Sequence, residues 1–210
     1  MTEPAPPALV LFDLDGVLVR YDRARRLQAL AARTGASVAA VRIALFDSGL
    51  EAETDVGRWS PADYAAELGR RLGSEVSLAD CIAARRDAMR ADDNVLALAR
   101  AAARRARLAI LTNNGPFLTD HLEAMCPPLF PLFAGAVHGA GHYGIAKPDP
   151  RVFHACARAL RAEPARMLFV DDSPDNVDGA RRAGIEAVHF TDAAALADAF
   201  ARHGLDIAAR

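Results

Sequence analysis

The chain has little of what marks secreted, membrane-bound or nucleic-acid-binding proteins. Its 210 residues include three cysteines, which lie far apart and form no CxxC pair, so we expect neither a disulfide framework nor a zinc site. The 25 basic and 27 acidic residues nearly balance, and a formal net charge of −2 gives no reason to expect a nucleic-acid partner. No apolar run is long enough to span a bilayer, which argues against a membrane protein.

The amino-terminal residues and the thiols indicate the same compartment. Residues 1–7 lack the basic segment followed by an apolar segment that a secretory signal needs. Scattered thiols without partner spacing are typical of a reducing environment. We therefore expect a cytoplasmic protein, and its 52% hydrophobic content allows a sizeable core in one large domain or in a core with an insertion.

An apolar run at residues 9–12, followed by an acidic turn, dominates the pattern. A buried parallel strand is typically a near-continuous apolar run, and Gly16 permits a tight turn after it. Asp13 and Asp15 thus stand at the carboxyl end of a predicted central strand, where open α/β sheets bind ligands. Two carboxylates so close repel unless a cation or a proton lies between them. This stretch alone fits either a metal site or a solvated acidic turn.

Strand and helix patterns alternate over the second half of the chain. Apolar strand patterns recur at residues 108–112, 134–138, 167–170 and 185–190, with helical patterns between them. Such alternation implies a parallel sheet with right-handed crossovers. The predicted fold class is α/β, with a doubly wound parallel sheet.

The segment between residues 22 and 91 shows no good strand pattern and four helical ones. Three of these helices have predicted capping serines, Ser37, Ser60 and Ser77. An all-helical block after the first strand indicates an inserted cap domain. We predict a core domain from residues 1–16 and 92–210 and a four-helix cap from residues 17–91.

Polar side chains follow three of the predicted strands. They are Asp13 and Asp15, Thr112 and Asn113, and Asp171 and Asp172. Because the carboxyl ends of parallel strands share one edge, we expect them to meet in one crevice, joined by Lys147 from a loop before a helix. Oxygen ligands in this number suit Mg²⁺, and a lysine, a hydroxyl and turn amides suit a phosphate dianion. This equipment is typical of phosphoryl transfer through an aspartyl-phosphate.

Four motifs in this order make the chain resemble the haloacid dehalogenase-like (HAD) hydrolase superfamily. They are Asp13-Leu14-Asp15-Gly16-Val17-Leu18, Thr112-Asn113-Asn114, Lys147-Pro148-Asp149-Pro150 and Val170-Asp171-Asp172-Ser173-Pro174-Asp175-Asn176. The resemblance covers residues 9–190, and the helical insertion is similar to the small cap of subfamily I. It implies a Rossmann-like core, a Mg²⁺ cofactor and a small phosphorylated substrate. The fourth motif is similar to that of a branch holding sugar-phosphate phosphatases.

The resemblance also implies catalytic roles. Asp13 would be the nucleophile and a Mg²⁺ ligand. Asp15 would bind Mg²⁺ through its backbone carbonyl and use its carboxyl as general acid and then as general base. Lys147 would neutralise both Asp13 and the phosphate.

The remaining motif residues would hold the phosphate and the metal. Thr112, Asn113 and Gly16 would contact the phosphoryl group, although Asn113 could alternatively stabilise its own turn. Asp172 would bind the metal directly. Asp171 would bind it through water or play a supporting role.

Three other functions share part of this equipment. A phosphomutase similar to beta-phosphoglucomutase would use the same core residues and differ only in cap contacts that hold a phosphosugar. A 2-haloacid dehalogenase shares the nucleophile but needs neither Mg²⁺ nor a second acid, so Asp15 and the Asp171–Asp172 pair count against it. A non-catalytic binding protein would be expected to have lost a carboxylate or Lys147. We therefore predict a Mg²⁺-dependent phosphatase of a small phosphomonoester, such as a sugar phosphate, in a monomer or homodimer.

The predicted cap carries aromatic and basic residues that could face a leaving group. They are Arg20, Tyr21, Arg23, Phe46 and Trp59. We favour packing for the aromatic residues and solvent exposure for the arginines, because such residues occur in cap helices without any ligand.

Overall fold

The structure is a computed structural model that describes residues 6–205, so most of the amino-terminal segment inspected for a signal lies outside it. Its strands are β1 (Leu9–Phe12), β2 (Val19–Tyr21), β3 (Met89–Ala91), β4 (Arg107–Thr112), β5 (Val137–Gly139), β6 (Met167–Asp171) and β7 (Glu186–His189). Its α-helices are α1 (Arg23–Thr34), α2 (Val38–Arg42), α3 (Leu50–Asp55), α4 (Pro61–Leu72), α5 (Leu78–Asp87), α6 (Asp93–Ala102), α7 (Pro116–Thr119), α8 (Leu122–Met125), α9 (Pro150–Leu160), α10 (Pro174–Arg182) and α11 (Ala193–Arg202).

Five of the strands within residues 6–205 form one parallel sheet, in the order β5-β4-β1-β6-β7. The chain builds outward from β1 on one side through β4 and β5, and then on the other through β6 and β7. This confirms the predicted α/β class with a doubly wound parallel sheet. Because all five strands run the same way, their carboxyl ends lie at one edge, and β1 lies at the middle of it.

Strand β1 is the middle strand of the sheet and is buried on both faces. Val10 and Phe12 pack into one hydrophobic cluster, whereas Leu9 and Leu11 pack into another. Side chains of a strand alternate between faces, so each face takes every second residue. Both faces are apolar here, which is why the strand is a continuous apolar run in the sequence.

Residues 23–87, all of them described, hold five α-helices where the sequence predicts four. The additional helix is α3, which has no side-chain cap at its start and follows Gly49. The three predicted serine caps are present, since each serine accepts a hydrogen bond from the backbone N–H three residues later. Among the described residues no single helix could cross a membrane; only the bent pair Arg23–Thr34 and Val38–Asp47 meets the length and composition criteria together.

Two short antiparallel strands connect this helical insertion to the rest of the chain. Strand β2 pairs with β3, so that Val19 lies opposite Ala91. The sequence pattern predicts no strand at this position, because three residues are too few to show a detectable alternation. The predicted domain boundaries at 16/17 and 91/92 stay a prediction, and the strand pair lies next to both.

The insertion contacts the sheet edge again at the end of α3. A Cβ atom on Gly115 would lie 2.1 Å from the backbone oxygen of Thr54, and one on Gly141 would lie 2.5 Å from that of Asp55. Only residues without a side chain allow backbones to approach this closely. The insertion therefore lies over the carboxyl edge of the sheet.

Candidate active site

The carboxyl edge of the sheet brings acidic residues from β1 and β6 together with Lys147. Asp13 follows β1, Asp171 ends β6, and Asp172 comes next. Their carboxylates offer oxygen atoms that all lie within 4.8 Å of one another. Lys147 Nζ lies 2.7 Å from Asp13 Oδ1 and 2.7 Å from Asp171 Oδ2, although Asp13 and Lys147 are 134 positions apart.

Lys147 is the only lysine in the chain, which uses arginine for every other permanent cation. Its side chain is 1% exposed, and Asp13 and Asp171 are buried as well. Burial acts to lower the pKa of Lys147, but the charges of Asp13 and Asp171 raise it overall, so the ammonium stays charged. A compact ammonium can lie between two close carboxylates, whereas a planar guanidinium needs more space.

The charges of this site leave a negative excess. Three carboxylates face one ammonium, so two negative charges are uncompensated when all are ionised. Burial raises the pKa of Asp13 to about 7, against the opposing effect of Lys147 and with a further increase from Asp171. Burial followed by the charge of Asp171 also raises the pKa of Asp172. Hard oxygen donors with a double negative excess fit a divalent cation such as Mg²⁺.

Asp171 and Asp172 differ in what they contact. Both oxygens of Asp171 accept protein hydrogen bonds, from Lys147 Nζ, from the Ser173 N–H at 2.8 Å and from Asn176 Nδ2 at 3.0 and 3.1 Å. Asp172 is exposed. Asp171 is therefore fixed by protein donors, and Asp172 is the more accessible carboxylate.

Gly16 makes room for Asp172. A Cβ atom on Gly16 would lie 2.2 Å from Asp172 Oδ2, and the backbone has a φ of +93° that other residues rarely adopt. The structure thus shows a steric reason for glycine here. Its predicted contact with a phosphate stays a prediction.

Thr112 and Asn113 are both at the edge but face different partners. Thr112 is 1% exposed, and its Oγ1 accepts a hydrogen bond from Asn114 Nδ2 at 2.7 Å. Asn113 binds the backbone of Lys147 twice: its Nδ2 donates to the carbonyl oxygen at 3.0 Å, and its Oδ1 accepts from the N–H at 2.8 Å. The Asn113 side chain therefore fixes the loop that presents Lys147. The predicted contact of Asn113 with a phosphoryl group stays a prediction.

Asp15 lies beside the acidic cluster and faces the helical insertion. Its Oδ2 accepts hydrogen bonds from Arg85 Nη2 at 2.6 Å and from Asn114 Nδ2 at 3.2 Å. Tyr21, for which we favoured packing, lies under the Arg85 guanidinium, 3.7 Å from its central carbon to the ring centroid. Arg85 is not among the site residues predicted from the sequence. The available signal was helical phase, since Arg85 follows the apolar Cys81 by four positions and so shares its buried face.

Comparisons of the sequence with known proteins identify the family to which these site residues belong. The haloacid dehalogenase-like hydrolase family matches residues 7–184. A protein named as a phosphatase from Mycobacterium tuberculosis is 30% identical over 187 residues, which cover 85% of this chain and 84% of the relative. A D-ribitol-5-phosphate phosphatase from Bacteroides thetaiotaomicron is 25% identical over 190 residues, with 84% and 88% covered.

Solved structures share the fold. A HAD-family enzyme from Bacteroides thetaiotaomicron, solved with magnesium and inorganic phosphate, has a TM-score of 0.72 at 21% identity and covers 88% of this chain and 94% of its own. The L-2-haloacid dehalogenase from Xanthobacter autotrophicus has a TM-score of 0.60 at 22% identity, with 93% and 82% covered. The matches confirm the predicted family and its phosphatase branch, and they support a phosphoric monoester hydrolase. The chain belongs to the haloacid dehalogenase-like hydrolases.

Proposed function

We propose that the protein is a Mg²⁺-dependent phosphatase that hydrolyses a small phosphomonoester through an aspartyl-phosphate. The observation that carries the proposal is the bridge from Lys147 to Asp13 and Asp171, beside the exposed Asp172, at the carboxyl end of the central strand. The phosphatase names of the relatives support the same reaction class. The relative named for D-ribitol 5-phosphate supports sugar and polyol phosphates as the first substrates to test.

The residues that would hold Mg²⁺ are Asp13 and Asp172, with the backbone carbonyl of Asp15 as the family resemblance implies. Asp171 supports the site, because its two oxygens already accept hydrogen bonds from Lys147, Ser173 and Asn176. Bound Mg²⁺ would neutralise charge on the phosphoryl oxygens and so reduce their repulsion with the attacking carboxylate.

The first chemical step belongs to Asp13 and Asp15. The Asp13 carboxylate attacks phosphorus, and the bond from phosphorus to the ester oxygen breaks. Asp15 gives its proton to the departing oxygen, so the alcohol leaves neutral. Lys147 stays protonated throughout and stabilises the negative charge that Asp13 and the phosphoryl group share.

The second step regenerates the enzyme. A water molecule attacks the aspartyl-phosphate at phosphorus and loses a proton to Asp15, which now acts as a base. The bond from phosphorus to Asp13 breaks, and inorganic phosphate leaves. Asp15 ends the cycle protonated, as it began.

A substrate panel tests the proposal. We expect phosphate release from at least one sugar, polyol or aryl phosphate in Mg²⁺ and none in EDTA. We expect Asp13→Asn to abolish release without changing the circular dichroism spectrum, whereas Asp178→Asn, at a carboxylate with a 62% exposed side chain, should keep full activity.

Other outcomes would replace the proposal. Chloride release from a 2-haloacid would indicate a dehalogenase, and bisphosphate-dependent isomerisation of a phosphosugar would indicate a mutase. Equal phosphate release by the wild type and Asp13→Asn would remove the nucleophile assignment.

A further inference from the structure

Arg85 is a buried arginine that extends from the insertion helix α5 to the acidic turn after β1. Its side chain is 3% exposed, and its Nη2 lies 2.6 Å from Asp15 Oδ2. The two residues are 70 positions apart in the chain. A buried guanidinium at this distance forms a strong, charge-assisted hydrogen bond.

Further contacts hold this guanidinium in place. Its central carbon lies 3.7 Å from the centroid of the Tyr21 ring, an arrangement in which the ring face attracts the cation. The hydroxyl of Tyr21 in turn accepts a hydrogen bond from Arg26 Nη1 at 3.3 Å. The guanidinium is therefore oriented by an aromatic face as well as by its carboxylate partner.

The two oxygens of Asp15 have unequal surroundings. Oδ2 accepts hydrogen bonds from both Arg85 and Asn114. Oδ1 is buried and, among residues 6–205, finds no hydrogen-bond partner. A buried carboxylate oxygen without a donor carries a desolvation cost, so it calls for a partner that arrives from outside the chain.

We propose that Arg85 is a positioning residue for phosphoryl transfer, which holds Asp15 by Oδ2 so that Oδ1 exchanges the proton with the leaving group. This inference rests on the function proposed above. With Oδ2 held from two directions, the carboxyl group cannot rotate freely about its last bond. The proton is then carried on Oδ1 and passes to the ester oxygen as the bond to phosphorus breaks, leaving a neutral alcohol and an aspartyl-phosphate.

A purely structural ion pair and a positioning residue predict different kinetics. Loss of a structural pair would lower kcat/KM for every substrate by the same factor, because it would lower the amount of folded enzyme. Loss of proton-donor positioning lowers kcat/KM most for the substrates whose leaving group most needs a proton. The ratio of kcat/KM for a substrate with a poor leaving group to that for one with a good leaving group therefore separates the two roles.

The experiment compares kcat/KM for phenyl phosphate and p-nitrophenyl phosphate, because kcat/KM covers the steps up to departure of the alcohol. Arg85→Ala should lower kcat/KM for phenyl phosphate on the order of a hundredfold but change p-nitrophenyl phosphate less than about fivefold, since nitrophenolate leaves without a proton. Added guanidinium chloride should restore part of the lost activity on phenyl phosphate. Arg86→Ala, at the exposed neighbour on the same helix, should leave both values unchanged.

Arg85→Lys and Arg85→Gln provide further tests should the alanine variant fold poorly. Lysine keeps a donor for Asp15 but lacks the planar fork, so its loss on phenyl phosphate should be smaller than that of glutamine. Equal losses on the two substrates, or no loss on either, would overturn the role of Arg85 while the proposed function stands. A wild-type protein that releases phosphate from neither ester, nor from any in the panel, would overturn the proposed function itself.

Discussion

Two of the buried charged groups within residues 6–205 make a useful comparison, because they differ in charge balance and exposure. We refer to Asp13, Lys147, Asp171 and Asp172 as the edge cluster, and to Arg26, Glu51 and Tyr64 in the helical insertion as the insertion cluster. Each holds a cation out of water, since the side chains of Lys147 and Arg26 are both 1% exposed. What separates the clusters is the number of carboxylates that face each cation.

The insertion cluster is balanced and closed. Arg26 donates hydrogen bonds to both oxygens of Glu51 and to the hydroxyl of Tyr64, the last at 2.9 Å. Burial acts to raise the pKa of Glu51, but the charge and the hydrogen bond of Arg26 lower it overall, so the pair stays ionised. One cation faces one anion, and no charge is left for a ligand.

The edge cluster is neither balanced nor closed. One ammonium faces three carboxylates, and Asp172 is exposed. Uncompensated negative charge at an accessible position attracts a cation. A charge excess together with exposure, and not buried charge alone, therefore distinguishes an ion-binding site from a structural ion pair.

Removing the ammonium of the edge cluster should have the largest effect on turnover. Lys147→Met leaves Asp13 and Asp171 facing each other without a cation, so we expect kcat/KM on the best ester to fall on the order of a thousandfold. Lys147→Arg keeps the charge but not the compact shape, and should recover only part of the loss. Calorimetry should show that Lys147→Met binds Mg²⁺ at least as tightly as the wild type, because the cluster becomes more negative. Retention of more than a tenth of the activity in Lys147→Met would contradict the comparison.

Breaking the insertion cluster should instead affect stability. Arg26→Met leaves Glu51 buried with only Tyr64 as a donor, and we expect the free energy of unfolding in urea to fall by about 3 kcal/mol. At a temperature where the variant is folded, kcat should change much less than in Lys147→Met. Arg33→Met on the same helix removes a half-exposed pair with Asp87 and should cost less than about 1 kcal/mol. Equal stability of the two variants would show that the insertion cluster is not structural.

The edge cluster could be predicted from the sequence because its geometry follows from the sheet. Once β1, β4 and β6 are identified as parallel strands, their carboxyl ends must share an edge, and Asp13, Thr112 and Asp171 come with them. Lys147 was harder, since it lies in a loop. Its place was predicted from its position before α9, and the resemblance to a known family supplied its catalytic role.

The remaining contacts depend on tertiary packing that no local pattern records. The clamp of Asn113 on Lys147 joins loops 34 positions apart, and the bond from Arg85 to Asp15 depends on how the insertion packs against the sheet edge. Arg85 also precedes Arg86 in the sequence, and two adjacent arginines in a helix predict solvent exposure. Strands as short as β2 and β3 carry too little alternation to be detected.

The smallest predicted effect concerns Asp55, a carboxyl group close enough to Glu51 and Arg26 for their charges to shift its pKa. Burial, followed by the charge of Glu51, raises the pKa of Asp55 to about 7 from 3.8, against the opposing charges of Arg26 and Arg85. In the unfolded chain Asp55 ionises near its ordinary value, so between pH 4 and pH 7 the folded state binds more protons. Stability from this group therefore falls as the pH rises through that window and levels off above it.

Asp55→Asn should remove this dependence, because the amide stays neutral at every pH. Urea unfolding at pH 5 and pH 8 should show that the free energy of unfolding falls between these pH values by on the order of 1 kcal/mol more in the wild type than in the variant. Partial solvent screening of Asp55 is already included in this value. Asp178→Asn, at an exposed carboxylate, should follow the wild type. Asp13 also titrates with a raised pKa, but its contribution cancels because the wild type and Asp55→Asn both contain it. An equal loss of stability in the wild type and Asp55→Asn would mean that Asp55 is already ionised in the folded protein at pH 5, so that a negative charge stands next to the insertion cluster.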